Sequence, residues 1–498
     1  MRALRPWKET SADALEMAFR AHSPRLNPRP ATRAGVALYT AIVAFGLLSL
    51  LAAFSMSGLV AWTVGIAYVV YDTLLLAFVA WQSRAIWRAA AEPARKGERP
   101  SLGVIDAAYN EAPALAATIR ALLRQSDPPE RIWLADDGSQ DDSAAVLLEL
   151  YGLRPPELDG SSEPSPVAPS LRWLRLAHRG KARTLNAALG RADTDVVLTV
   201  DADTILDVDA ISQIRRAFTD DRDLVVGGGV LIPHCRGGAL GRALQEFQTY
   251  EYVRNFLGRY AWSRFNSLLL ISGAFAAFRR EPVMTVGGFD PECLVEDYEL
   301  IHRLHRHAID NRLPWRVRIV GRARARTDAP ASLASFLRQR RRWFAGFLQT
   351  QYWNRDMTAS PRYGALGRAM MPVKALDTLQ PIYGLAGSAW LILFLLRGEF
   401  GALLPASGWV LAKIALDIVN IFYSLAVYRR WTGARDGSFA GALVCLLCEP
   451  FSFQILRHLG AAWGWLAVLT GAMAWGSRDA RAGEVVDLAD GARTTPSN

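Results

Sequence analysis

The sequence predicts an α/β domain, a mostly parallel sheet flanked by helices, carried on an α-helical transmembrane region. Three observations predict it. Long uncharged stretches lie toward both ends of the 498 residues, while the middle is polar and mixed. In the middle, short apolar runs alternate with helical patterns, the order of a parallel sheet. Two acidic turns, Asp136-Asp137-Gly138-Ser139 and Asp201-Ala202-Asp203, end two of those runs, and open α/β sheets bind ligands at the carboxyl ends of their strands.

Residues 1–33 form a basic segment. It does not look like a cleaved signal, because polar and basic residues precede the first apolar run and no small-residue cleavage site follows that run. No charge interrupts Ala34 to Tyr71, and Leu74–Gln82 extends the stretch. At about 20 residues per span, residues 34–83 hold two helices joined near Ser55–Gly58. Asp72 then falls inside the second helix and must face a polar cavity or another helix, since a carboxylate in lipid is costly. An interfacial helix is expected at 356–377, and three or four spans within 378–477. The runs are Thr378–Leu396, Gly401–Tyr428, Gly437–Ile455 (weakened by Glu449 and Pro450) and Leu459–Ser477, the last spanning or interfacial. Lys413 and Asp417, four residues apart, can pair within the membrane. The tail 478–498 is polar and expected to be disordered.

The net charge of +10 admits nucleic acid, anionic lipid or an anionic substrate. Arg25, Arg29, Arg33, Arg84 and Arg88 flank apolar segments, so membrane-surface charge is the reading adopted, with no nucleic-acid partner. The same arginines place residues 98–355 on the cytoplasmic side of a multi-pass protein of the cell (inner) membrane. Four cysteines make no disulfide framework, and Cys445-x-x-Cys448 has no second pair with which to bind zinc.

Within 98–355, strands are expected at Leu102–Ala108, Arg131–Ala135, Leu171–Leu176 and Asp195–Val200. Helices are expected at Ala112–Gln125, Ser143–Tyr151 and Lys181–Gly190. The Pro- and Ser-rich insert Arg154–Ser170 is a surface loop.

The chemistry follows from where acids and bases fall. Asp201 and Asp203 are two hard oxygen donors delivered by a buried strand, suited to Mg²⁺ or Mn²⁺; an acidic turn without function is the alternative. Asp137 can accept the imide N–H of a uracil, or form an ordinary Asp-Gly turn. Lys181, at a helix start, can meet a diphosphate. Asp297, after Glu296, can act as general base on a sugar hydroxyl, or simply favour the helix dipole. His302 and His305 on that helix, and His307 beyond, read as surface residues. Gln339-Arg340-Arg341-Arg342-Trp343, following a helix at Ser332–Leu337, supplies cations for a leaving diphosphate and an indole for a sugar face.

Asn110-Glu111, Asp136–Ser139, Gly180-Lys181 with Asn186, Asp201-Ala202-Asp203, Ser272-Gly273-Ala274-Phe275, Glu296-Asp297 and Gln339–Trp343 stand in the order of family 2 glycosyltransferases. Over about residues 100–350 the chain resembles the membrane-embedded processive synthases of cellulose, chitin, hyaluronan and poly-N-acetylglucosamine. The resemblance implies a GT-A fold and an inverting, metal-dependent transfer from a UDP-sugar. Glu111 and Asp137 would hold the nucleoside, and Lys181 and Asp201 the diphosphate. Asp201 and Asp203 would hold the metal, Asp297 would be the base, and Gln339 and Arg342 would hold the leaving group. Trp343 and Glu296 would meet the acceptor at the mouth of a channel. The chain departs from the family pattern at Ala107, where proline is common, and at Val295, where threonine is common.

The expected activity is polymerisation, poly-N-acetylglucosamine-like, with translocation of the glycan. The partners are the growing glycan or a lipid acceptor, the bilayer and a small accessory membrane subunit. Two alternatives stand beside it: a non-processive transferase acting on a polyprenyl phosphate or ceramide-like lipid, and an inactive membrane subunit or transporter.

Overall fold

The computed structural model describes residues 12–55, 63–88, 97–397 and 400–471. The expected turn beyond Ser55 and the polar tail lie outside the described residues. A short helix α1 (Ala12–His22) precedes two apolar helices, α2 (Arg33–Ser55) and α3 (Thr63–Arg88). Next come β1 (Leu102–Ala108), α4 (Ala112–Leu123), β2 (Arg131–Asp136), α5 (Ser143–Tyr151), β3 (Gly160–Ser161), β4 (Leu171–Arg175), α6 (Lys181–Arg191) and β5 (Val196–Asp201). The four expected strands and three helices are all present, with ends shifted by a residue or two.

The rest of the domain adds β6 (Thr204–Leu206), α7 (Ala210–Asp220), β7 (Leu224–His234), α8 (Ala239–Ser263), β8 (Phe275–Arg279), α9 (Arg280–Val286), α10 (Glu296–Asp310), β9 (Arg316–Asp328) and α11 (Leu333–Trp353). The nine strands form one sheet in the order β3-β4-β2-β1-β5-β8-β7-β9-β6. The run β4-β2-β1-β5 is parallel, as expected. Beyond it the sheet is mixed: β8 runs antiparallel to β5 and β7, β9 parallel to β7, and β6 antiparallel to β9. Register sets the site. Ala107 lies opposite Asp201 on one side and Ala135 on the other, and Ala108 lies opposite Asp136. Both acidic turns therefore leave the same edge of the sheet. The strands between are buried, because helices cover both faces.

Three expectations need correction. Gln339–Trp343 does not follow a helix but lies within α11, a single helix of 21 residues capped by Ser332, whose side chain accepts from Ser335 N. Residues 356–370 are not one interfacial helix. They fold as short turns, Arg355–Met357, Pro361–Tyr363 and Leu366–Met370, broken at Pro361 and at Gly364. His302 and His305 are core residues: each is nearly inaccessible, and a ring nitrogen meets the Tyr298 and Leu268 carbonyls respectively. Helix α10 is buried on almost every face, which hides its histidines despite its charge.

Membrane-length helices flank this domain. By length and composition α2, α3 and part of α13 (Phe400–Thr432) qualify; the bent pair Phe439–Phe451 and Phe453–Leu469 makes up to four. The pair comprises α14 (Phe439–Cys448), a short turn and α15 (Phe453–Leu469), meeting at 51° beside Pro450. Helix α12 (Met371–Arg397) contains the run from Thr378, with Pro381 inside it. Asp72 does face another helix: Lys413 Nζ on α13 lies 2.8 Å from its carboxylate and also pairs with Asp417. Lys413→Met should therefore leave two apposed carboxylates without a cation in an apolar setting. The expected result is loss of monodisperse protein in detergent, with recovery in the triple replacement Asp72→Asn, Asp417→Asn, Lys413→Met.

The arginines ahead of α2 do not all face lipid. Arg25 forms a bidentate pair with Asp290 at 3.0 Å, and Arg29 reaches Asp310 at 2.9 Å. The N-terminal segment thus clamps onto α9 and α10, and Thr32 and Tyr39 continue the contact to Thr358.

Candidate active site

The first acidic turn is held by its own loop. Asp136 caps it, accepting from Ser139 N at 2.8 Å and Trp173 Nε1 at 3.3 Å. Gly138 adopts φ +75°, and a Cβ there would lie 2.9 Å from His178 N, so the turn requires glycine. Asp137 accepts from Arg179 N at 2.9 Å, Gly180 N at 3.1 Å and Thr184 Oγ1 at 2.9 Å, with His178 Nδ1 at 2.9 Å. A carboxylate has about four acceptor directions, and the chain already engages them. A base that uses Asp137 must displace one of these donors. His178 is the most exposed of them, its side chain being half exposed and stacked on Tyr109 at 4.2 Å.

That loop leads into α6, whose first residue is Lys181. Its Nζ lies 2.5 Å from Asp201 Oδ1 and 3.7 Å from Glu296 Oε1. Burial opposes its charge most strongly, but Asp201 and Glu296 outweigh that and raise its pKa. Glu296, expected at the acceptor, lies beside Lys181, expected at the diphosphate. Burial raises its pKa, Lys181 lowers it, and Asp297 raises it again. Asn186, one α6 turn on, ties the helix to Phe289 through both its amide atoms at 2.8 Å.

Asp201 ends β5 and Asp203 follows in the turn, where Thr204 and Thr327 hydroxyls approach Asp203 Oδ1 at 3.3 and 3.5 Å. Sequence reasoning missed a third carboxyl, Asp106 on β1. It is wholly buried and both oxygens lack a hydrogen-bond partner. Burial pushes its pKa well up, and Asp201, Glu111 and Asp203 push it further. An Asp inside the apolar run Leu102–Ala108 was the available signal. Among the described residues, no group of three or more His, Cys, Asp or Glu side chains is arranged to hold an ion alone. The oxygen-only pair Asp201 and Asp203 fits a hard cation whose remaining ligands are phosphate oxygens and water.

Asp297, in the first turn of α10, is positioned by backbone N–H groups: Gly273 N donates to Oδ2 at 2.6 Å and Tyr298 N to Oδ1 at 2.8 Å. A Cβ on Gly273 would crowd Oδ2 at 3.2 Å, so the Ser272–Phe275 segment approaches only as glycine. On α11, Arg342 Nη1 donates to Leu294 O at 3.3 Å, and Gln339 Oε1 is buried without a partner. Arg340 forms a bidentate pair with Glu251 at 2.8 and 2.6 Å and lies 4.7 Å over the Trp343 ring. Trp343 and Asp297 both line a cavity of about 1120 Å³ that continues among the apolar helices. Glu111, at the start of α4, is near enough to Asp106 to raise its pKa together with Asp201 and Asp203.

A mixed sheet that ends in two acidic turns at one edge and is flanked by helices is a GT-A-like fold. The chain carries a family 2 glycosyltransferase domain: the family model "Glycosyl transferase family 2" matches residues 104–287, and "Glycosyl transferase family group 2" matches residues 196–405. The hyaluronan synthase of Streptococcus pyogenes is 28% identical over 258 residues, covering 48% of this chain and 55% of that protein. The poly-beta-1,6-N-acetyl-D-glucosamine synthase of Staphylococcus epidermidis is 25% identical over 254 residues, covering 50% of this chain and 55% of that protein. The chain thus spans about half the length of these curated relatives. The mannosyltransferase PcManGT from Pyrobaculum calidifontis, solved in complex with GDP-Man and Mn²⁺, superposes with a TM-score of 0.50 at 19% identity. The match covers 78% of this chain and 98% of that one, a likeness of fold.

Proposed function

We propose that this protein is a membrane-embedded inverting glycosyltransferase that polymerises a sugar from a UDP-sugar, poly-N-acetylglucosamine-like, and passes the product across the cell membrane from a cytoplasmic catalytic domain. The observation that supports it most is the cavity. Its wall runs from Asp297 and Trp343 to Tyr68, Asp72, Lys413 and Asp417 on the apolar helices. Ionisable side chains among such helices are costly and are kept where water or a hydrophilic solute passes.

In the proposed reaction the acceptor sugar rests on Trp343. Asp297 takes the proton of its hydroxyl as the oxygen attacks the anomeric carbon. The bond to UDP breaks on the opposite side, and Lys181 and Arg342 offset the charge on the diphosphate. Asp201 and Asp203 would hold a divalent cation, which would supply further positive charge for the leaving diphosphate. The backbone donors on Asp297 fix its direction.

The test is a UDP-release screen with UDP-glucose, UDP-N-acetylglucosamine and UDP-glucuronate, followed by mass analysis of products. One productive donor and a ladder of chain lengths are expected; a single sugar on lipid would overturn the polymerase reading, and no release with any donor would overturn the enzyme reading. Asp201→Ala should weaken UDP binding in the presence of Mn²⁺ at least tenfold, about 1.4 kcal/mol, by calorimetry. Unchanged affinity removes Asp201 from the diphosphate site.

A further inference from the structure

Charged groups around the cavity pair off. Asp72 and Asp417 share Lys413, and Asp377 takes Lys374. Glu449 takes Arg254 and Arg457, and Glu251 takes Arg340. Arg259 is different. It projects from α8, from the face that also places Glu251, Asn255 and Trp262 on the cavity wall. Among the described residues its guanidinium has no ion-pair or hydrogen-bond partner, and its Nε is buried; what it touches is the Phe256 ring, 4.7 Å away. Burial pushes its pKa down to about 10, against the opposing pull of Tyr252, Asp297 and Glu251. A guanidinium keeps its proton under all ordinary conditions. Arg259 as a whole is only partly buried, and its guanidinium faces the cavity unpaired, close enough to Asp297 to interact with it.

The missing anion is not supplied by the donor's diphosphate. Lys181, Asp201 and Arg342, which serve that group, do not line this cavity, whereas Arg259, Asp297 and Trp343 do. The cation stands on the acceptor side of the base. Its planar fork matches a carboxylate or a phosphate in two-point contact, and it lines the same cavity as Asp297 and Trp343.

We propose that Arg259 is an acceptor-specificity residue. It binds an anionic group, carboxylate or phosphate, that the acceptor carries beside the hydroxyl offered to Asp297. The proposal rests on the reading of Asp297 as the base. The anion has two chemical sources: a uronate within the growing glycan, which would make the polymer a charged one in place of a neutral poly-N-acetylglucosamine-like chain, or the phosphate of a lipid-linked primer on which the chain is started.

The full chain in nanodiscs, saturated with UDP and Mn²⁺, would be titrated calorimetrically with three probes. These are a neutral oligo-N-acetylglucosamine, an oligosaccharide of equal length ending in a uronate, and a short-chain polyprenyl phosphate. At least one anionic probe is expected to bind tenfold or more tighter than the neutral one. The uronate probe alone would assign a charged glycan, and the phosphate probe alone a lipid acceptor. Arg259→Gln should bring the preference to about one, and Arg259→Lys, which keeps the charge, should retain part of it. Equal binding of all three probes to the unaltered protein overturns the proposal, as does a preference that survives Arg259→Gln. If the preference holds while Asp297→Asn still turns over, the anion site stands and the assignment of the base falls, so the two failures are told apart.

Discussion

Asp297→Asn retains UDP binding and loses sugar transfer, with turnover falling by about 10²- to 10⁴-fold, the usual contribution of a positioned base. The carboxylate lies where a base is needed, on the cavity wall with Trp343. Its two oxygens are aimed by Gly273 N and Tyr298 N. Asparagine matches the shape but has one acceptor oxygen and an N–H₂ group, so it cannot take the proton and must turn its amine toward one backbone N–H. That mismatch costs about 1 kcal/mol of stability, too little to unfold the domain. In the proposed reaction the diphosphate is met by Lys181, which contacts Asp201 and Glu296 and not Asp297, so UDP affinity is expected to survive. Calorimetry with UDP and a UDP-release assay on the same preparation separate the two effects; turnover within about threefold of the unaltered enzyme would refute the role.

Arg303→Met is expected to produce the largest loss of stability. Arg303 and Glu299, one turn apart on α10, are both fully buried. The guanidinium donates to both Glu299 oxygens at 2.6–2.8 Å, to Val286 O at 2.6 Å and to Gly288 O at 2.5 Å. Its outer face meets the Phe19 ring of α1 at 5.1 Å. It therefore joins α10, the end of α9 and the N-terminal clamp. Removing it orphans a buried carboxylate and two carbonyls, and breaking a buried pair costs about 3–5 kcal/mol. At about 2–4 °C per kcal/mol for a domain of this size, the thermal transition should fall by roughly 6–20 °C. Replacing Glu299 with Gln in the same chain should restore part of the loss, because the stranded charge is then gone. A shift below about 2 °C in the single variant would show that the pair is dispensable.

The parts legible in the sequence are those set by local pattern. Leu102–Ala108 and Val196–Asp201 read as strands because β-branched and apolar residues run to an acidic turn, and that turn chemistry needs nothing distant. The strands β7, β8 and β9 escaped because their pairings cross the domain, and β8 inserts antiparallel between β5 and β7. His302 and His305 looked solvated because α10 has a polar composition, and only its neighbours show that almost every face is covered.

Asp201 and Asp203 could be placed at the carboxyl end of a strand from sequence alone, as could Lys181 at a helix start and Asp297 in the first turn of another helix. The reason is that strand ends, caps and helix starts are decided within a few residues. The tertiary structure alone decided what each of them meets. Lys181 reaches Asp201 and Glu296 from different elements, Gly273 aims Asp297 across 24 positions, and Asp137 is taken up by the loop after β4. It also left Asp106 buried without a partner and placed Arg259 unpaired on the cavity wall. Those facts depend on sheet order and helix packing, which bring together residues distant in the chain, and local pattern carries no record of them.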